Sequence, residues 1–245
     1  MARLSRIIVP GVPHHVTQRG NRRMAIFAED GDYALYRDLL AERLRHHNVA
    51  CWAYCLMPNH VHLILTPPDG DAASAGAALS RGVGEAHRRY TAFVNARARV
   101  TGHLFQGRFG CVAMDDAHVL NAVRYLAFNP VRARLAAVPE GWPWSSVAAH
   151  LARRDDALAS VGPVLERAPR FADLLDLPLA EQMALEGFET KSANGRPLGP
   201  PAFVAMVEQR LGRSLARGRP GRARKAARKA AARRGGGGRR QRKSV

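Results

Sequence analysis

The stretch VACWAYCLMPNHVHLILTPP, residues 49–68, decides the fold. Two apolar runs, rich in aromatic and β-branched residues, flank the pair Pro58-Asn59. Each run is too short for a typical helix and reads as a strand, 49–58 and 60–68. Strands joined by so short a turn pair antiparallel, as a hairpin. The second strand carries two histidines, His60 and His62. Side chains alternate along a strand, so both imidazoles leave one face, roughly 6.6 Å apart. Val61 and Leu63 then point to the other face, into a core. Imidazole suits several divalent ions, so the spacing names no metal. Two satisfied core histidines and a metal site both remain open. A zinc site built from Cys51, Cys55, His60 and His62 is a further reading, although C-x3-C followed by H-x-H is an unusual zinc spacing.

Outward from the hairpin, the pattern repeats a simple plan. HHVTQRGNRR (14–23) opens as an alternating strand and ends in a Gly-Asn turn among arginines. Residues 30–48 form an amphipathic helix, with Leu35, Tyr36, Leu39, Leu40 and Leu44 on one side and Asn48 as a stop. Residues 71–99 give a long helical pattern interrupted by Gly82 and Gly84. A loop at 101–109 precedes a short strand at 110–114. A helix over 115–129 carries acidic residues in its first turn, where the helix dipole favours them, and Pro130 marks its end. The order strand, helix, strand, strand, helix, strand, helix is the ferredoxin-like split plan. It predicts an α+β fold: an antiparallel sheet with helices packed on one face.

The chain divides into three parts: a domain over 1–150, a helical extension over 151–215 and a low-complexity tail over 216–245. The extension includes a loop entering one more helix at 195–215. The tail reads as disordered without a partner. The net charge is +18, from 38 Lys or Arg against 20 Asp or Glu. Residues 210–245 hold 15 of these cations and no acidic residue, leaving a net of +3 for positions 1–209. A tail of this kind suits a polyanion, with nucleic acid ahead of an anionic membrane surface; a merely solubilising tail is the alternative. The three cysteines, Cys51, Cys55 and Cys111, are an odd number and argue against a disulfide framework. MARLSRIIVPGVPHH has no apolar run of signal-peptide length, and no stretch is apolar enough to span a membrane. The expected compartment is the cytoplasm, at the nucleoid.

Tyr125 and Asn129 stand four residues apart on the last predicted helix, hence on one face and about 6 Å apart. A tyrosine hydroxyl can act as a covalent nucleophile, and an asparagine carbonyl as a hard oxygen ligand. On spacing alone, a core tyrosine and a helix-stopping asparagine fit equally well.

Five segments now bear on one family: HHVTQRGNRR, MPNHVHLIL (57–65), TGHLFQGRF (101–109), VRYLAFNPVRARL (123–135) and WPWSS (142–146), in that order. Together they resemble the REP-associated tyrosine transposases, a branch of the single-tyrosine HUH, IS200-like, transposases. GRPLG with the residues that follow, 195–212, resembles that family's C-terminal extension. The resemblance implies that His60 and His62 bind Mg2+ or Mn2+, that Tyr125 is the nucleophile, and that Asn129 is a third ligand. Related chains often carry the longer glutamine at that place. It implies cleavage and rejoining of single-stranded DNA at hairpin, REP-like palindromes through a 5′-phosphotyrosine link. Arg19, Arg22, Arg23, Arg108 and Arg132 would surround the DNA. Monomers and homodimers both occur among relatives. A domesticated chain that binds palindromic DNA or RNA without cutting it is the alternative.

Overall fold

The hairpin forms as its residues dictate. In the computed structural model, which describes residues 6–176 and 195–215, β2 (Ala50–Met57) and β3 (His60–Thr66) pair antiparallel across Pro58-Asn59, with Met57 opposite His60. β1 (His14–Arg19) lies on the other side of β3, and β4 (Gly110–Ala113) lies beyond β1. The sheet order is β2-β3-β1-β4, with every pairing antiparallel. This is the ferredoxin-like arrangement expected from the element order.

The period-two pattern sorts side chains to two faces. Val16, Val61, Leu63 and Leu65 join Tyr36, Leu40 and Leu44 of α1 (Asp30–His46) and Leu79, Val83 and Tyr90 of α2 (Ala72–Ala98) in one core. Gly82 is where those two helices touch: a Cβ there would stand 3.1 Å from Leu44 Cδ2. α1 ends as its sequence predicts, with Asn48 left-handed at φ 53 and the Val49 amide reaching back to the Leu44 carbonyl.

The other face has its own core, and here the plain ferredoxin plan needs refining. Ala53, Cys55, Met57 and Ile64 pack against α3 (Asp116–Arg132), so the helices divide between both faces instead of sharing one. α3 starts as expected, with the Asp115 carboxylate accepting from the His118 amide at 2.9 Å. It does not stop before Pro130. The proline sits inside the last helical turn, where its missing N–H forfeits a single bond, and the helix runs on to Arg132. Arg134 then turns left-handed at φ 58, and the Leu135 amide bonds the Pro130 carbonyl. Asn129 is therefore a helical residue, one turn beyond Tyr125, and not a cap. Ala122 through Pro130 are all buried, because later segments close over the helix: Val164 of α5 (Gly162–Arg167) and Phe171 belong to the same core.

Both sheet edges are covered, which removes exposed ladders open to further pairing. Along β2, the Leu56 amide bonds the Trp144 carbonyl, the Ser146 amide bonds the Tyr54 carbonyl, and the short helix α4 (Val147–Leu151) follows. Along β4, Leu198 bonds Ala113 and Asp115, and α6 (Pro201–Leu211) comes next, so the 195–215 stretch is a loop entering a helix, as predicted. The described residues as far as Arg213 belong to one compact unit. The basic tail expected over 216–245 lies outside the described residues, as does the part of the extension at 177–194.

Candidate active site

The register of the central strands fixes which side chains meet. β1 places Thr17 opposite His62 and Arg19 opposite His60, while His15 stands opposite Ile64. On the face covered by α3, the sheet therefore presents His15, Thr17, Arg19, His60 and His62 together. The α3 residue laid over them is Tyr125. Its ring centroid is 5.3 Å from that of His62 and 6.3 Å from that of His15, edge-on to both. The rings of His60 and His62 are 4.8 Å apart and nearly perpendicular.

Burial and hydrogen bonding determine what each imidazole can do. His62 is 1% exposed. Its Nδ1 contacts His15 Nε2 at 3.0 Å, and the two rings stack at 5.2 Å. Burial pushes the His15 pKa down to about 3. Burial also holds His62 well below its ordinary value, with His15, His60, Arg19 and Arg132 adding to the effect. Both rings are therefore neutral at pH 7, and a single proton occupies the contact between them. When His62 donates it, Nε2 of His62 keeps a lone pair, and that nitrogen is buried with no hydrogen-bond partner among the described residues. His60 contacts Asn59 Oδ1 through Nδ1 at 2.6 Å. As the amide oxygen is an acceptor, the proton is on Nδ1 and Nε2 is the ligand-competent nitrogen.

Those features fit a divalent ion with incomplete protein coordination. Two imidazole nitrogens are prepared by their neighbours, as metal-bound histidines commonly are. Asn129 is buried, at 8% exposure, and its Nδ2 has no partner among the described residues. Among the described residues, no group of three His, Cys, Asp or Glu side chains is disposed to hold a metal. The donors that could meet an ion on this face are thus the two imidazole nitrogens, and Asn129, one helical turn beyond Tyr125, is the further candidate. The four-residue zinc reading fails on geometry. A β-bulge between Cys51 and Ala53 shifts the register, leaving Cys51 in the α1/α2 core while Cys55 faces α3. Burial also raises both thiol pKa values, which disfavours the thiolate that zinc requires.

The predicted arginines separate into groups. Arg132 is exposed and lies over the Tyr125 ring, 4.9 Å from its centroid, and Arg19 stands opposite His60. Arg22 and Arg23 are exposed, left-handed residues in the turn after β1. That turn is tied to the β2–β3 turn, since the Asn59 side-chain amide donates to the Arg23 carbonyl at 3.2 Å. Arg108 does not join them. It lines a cleft against α2, beside Gln18, whose side chain leaves the opposite face of β1. His15 is the site residue that sequence reasoning missed. Alternation along HHVTQR offers it, but the choice of face depends on a register that the sequence does not state.

Residues 9–129 match the family model described as "Transposase IS200 like". A Haemophilus influenzae protein assigned to the REP-associated tyrosine transposases is 25% identical over 118 residues, which is 45% of this chain and 66%, just under two thirds, of that relative. The structure of a REP-associated tyrosine transposase bound to a REP hairpin aligns with a TM-score of 0.52 at 21% identity, over 66% of this chain and 93% of the other. At that identity the likeness establishes a shared fold.

Proposed function

We propose that the chain, whose residues 9–129 match the IS200-like transposase model, cleaves and rejoins single-stranded DNA at hairpin sequences, with Tyr125 as nucleophile. The observation that carries this reading is Tyr125 set over His62, whose buried Nε2 has no hydrogen-bond partner among the described residues. A bound metal ion would meet that lone pair, where an unmet buried polar atom otherwise costs about 1–3 kcal/mol.

In the proposed reaction the Tyr125 oxygen attacks the scissile phosphorus. The P–O3′ bond breaks, giving a 5′-phosphotyrosine; the phenolic proton leaves to solvent, and the departing 3′ oxygen takes one up from solvent to become a free 3′-hydroxyl. The ester conserves the bond, so the 3′-hydroxyl of another strand can reverse the step without ATP. His60, His62 and the Asn129 carbonyl would hold Mg2+ or Mn2+, which supplies Lewis-acid charge to the phosphate when bound. His15 and Asn59 orient the two imidazoles. Arg132 and Arg19 supply fixed positive charge near the nucleophile, which phosphoryl transfer requires more than elaborate acid–base groups. Arg22 and Arg23 extend that charge along the β1 turn for the DNA backbone, and the basic tail adds salt-sensitive affinity.

No described helix is long and apolar enough to cross a membrane. A site at the nucleoid, as a monomer or a homodimer, accords with this substrate. One observation favours a second reading. Tyr125 is 2% exposed, so α3 must shift before a strand reaches it. A chain that grips palindromic DNA or RNA without cutting would have no need of that movement. Incubating the protein with Mn2+ and the hairpin repeats flanking its own gene, then resolving it on a denaturing gel, separates the two. A covalent adduct lost in Tyr125→Phe supports the transposase. Tight binding with no adduct supports the binder.

A further inference from the structure

On the sheet face away from Tyr125, α2, the 103–109 stretch and Arg6 enclose an open cleft of about 720 Å³. That is within the roughly 300–1,000 Å³ of small-ligand sites. Arg6, Arg88 and Arg108 line it, and no carboxylate among the described residues does. Two of its walls are aromatic: Phe109, with the Arg6 guanidinium 3.7 Å above its ring, and Phe105, on which His87 stacks at 4.3 Å.

The cleft also contains a polar atom without a partner. Gln18 is 3% exposed, and it donates from Nε2 to the Arg19 carbonyl at 3.3 Å and toward the Gly107 carbonyl at 3.5 Å. With carbonyl oxygens on that side, the amide cannot be turned round. Its Oε1 is left as a buried acceptor with no partner among the described residues. A buried acceptor of this kind needs an N–H or O–H donor. Cations near the opening, aromatic walls and a single acceptor inside match the parts of a nucleotide: phosphate, base face and base N–H edge. A base stacked in a duplex cannot extend into such a recess, whereas an unpaired one can.

We propose that this cleft takes one unpaired nucleotide of a DNA strand, its base donating to Gln18 Oε1 and its phosphate facing Arg88 and Arg108. The inference rests on the reading that the chain handles single-stranded DNA. Gln18 and Arg19 are consecutive on β1, one turned to the cleft and one to the tyrosine site. The nucleotide held here is therefore separate from the scissile one and fixes the register of the strand.

The test uses the full chain and a hairpin oligonucleotide with single-stranded flanks, followed by fluorescence anisotropy. Abasic substitutions are introduced one position at a time. Wild-type protein is expected to lose about tenfold in affinity at one flank position, the effect of one hydrogen bond and a stacked base. Gln18→Met is expected to bind the intact and that abasic DNA within about twofold of each other. Arg88→Ala with Arg108→Ala, both at exposed residues, is expected to reduce the salt dependence of log Kd by about 0.7, the slope of one single-strand phosphate. A wild type with no sensitive position, or a Gln18→Met variant that keeps the wild-type profile, overturns the proposal. Oε1 is then met by water. The Tyr125 adduct, scored on the same oligonucleotides, keeps the two readings apart. An adduct with a flat abasic profile refutes the cleft and spares the transposase; no binding to any hairpin refutes both.

Discussion

Replacing His15 with phenylalanine isolates its hydrogen bond from its packing. The ring volume stays, and so does the stack on His62 at 5.2 Å. What disappears is the 3.0 Å contact between His15 Nε2 and His62 Nδ1. His62 is 1% exposed, so its Nδ1 loses its acceptor where water does not replace it. The cost is about 1–3 kcal/mol of stability. At a urea slope of about 2 kcal/mol per molar, the unfolding midpoint falls by about 1 M. The second consequence concerns the ion. Nothing then holds the proton on Nδ1, and the tautomer that leaves Nε2 as a ligand is no longer favoured. Losses of such outer partners typically cost 10–100-fold in metal affinity. Mn2+ titration followed by electron paramagnetic resonance reads that loss without any DNA or turnover. His15→Gln, whose amide oxygen can accept from Nδ1, is expected to recover part of it. A His15→Phe protein with wild-type Mn2+ affinity and a wild-type urea midpoint would refute the reasoning.

Three other outcomes follow from the packing. Burial lowers the pKa of His14 to about 4, and those of His15 and His87 to about 3, against an ordinary 6.5. Each ring is neutral when folded and takes up a proton on unfolding below pH 6.5, so stability is full above that value and lost as pH falls toward 4. At pH 5 each costs about 2 kcal/mol, together a large share of a domain's 5–15 kcal/mol; circular dichroism against pH should show unfolding in that window, and a protein unchanged at pH 4.5 would contradict it. Asp32, 1% exposed, is held by Arg97 at 2.6 and 2.7 Å. Arg97→Ala leaves that carboxylate unpaired and is expected to cost about 3 kcal/mol in chemical denaturation, with a loss under 1 kcal/mol counting against a tight pair. Gly76 lies within α2, and a Cβ there meets nothing within 4 Å. Gly76→Ala should therefore stabilise by about 0.5–1 kcal/mol in the same assay, with any destabilisation pointing to an unseen contact.

The sequence showed the sheet because its signals are local. Pro58-Asn59 between two apolar runs specifies a hairpin, and alternation puts His60 and His62 on one face whatever the rest of the chain does. Asn48 likewise announced the end of its helix. The helix over Tyr125 was legible as a helix but not in its end or in the face it covers. Pro130 reads as a stop, yet near a C-terminus it removes one hydrogen bond, and burial of the neighbouring residues outweighs that. His15 and Gln18 were hidden for another reason. Their roles come from pairing with β3 and from a loop almost ninety residues away, and neither follows from local pattern. Arg108 was grouped with the other arginines by charge alone, and charge carries no information about faces.

The measurement that bears most directly on Tyr125 is the mass of its peptide. The protein is incubated with Mn2+ and the flanked hairpin, then digested with nuclease and protease, and the fragments are weighed. A nucleotide joined through its 5′-phosphate to the peptide bearing Tyr125 is expected, and is absent when Mn2+ is withheld. An unmodified Tyr125 peptide beside cleaved DNA, or a nucleotide carried by any other residue, would contradict it.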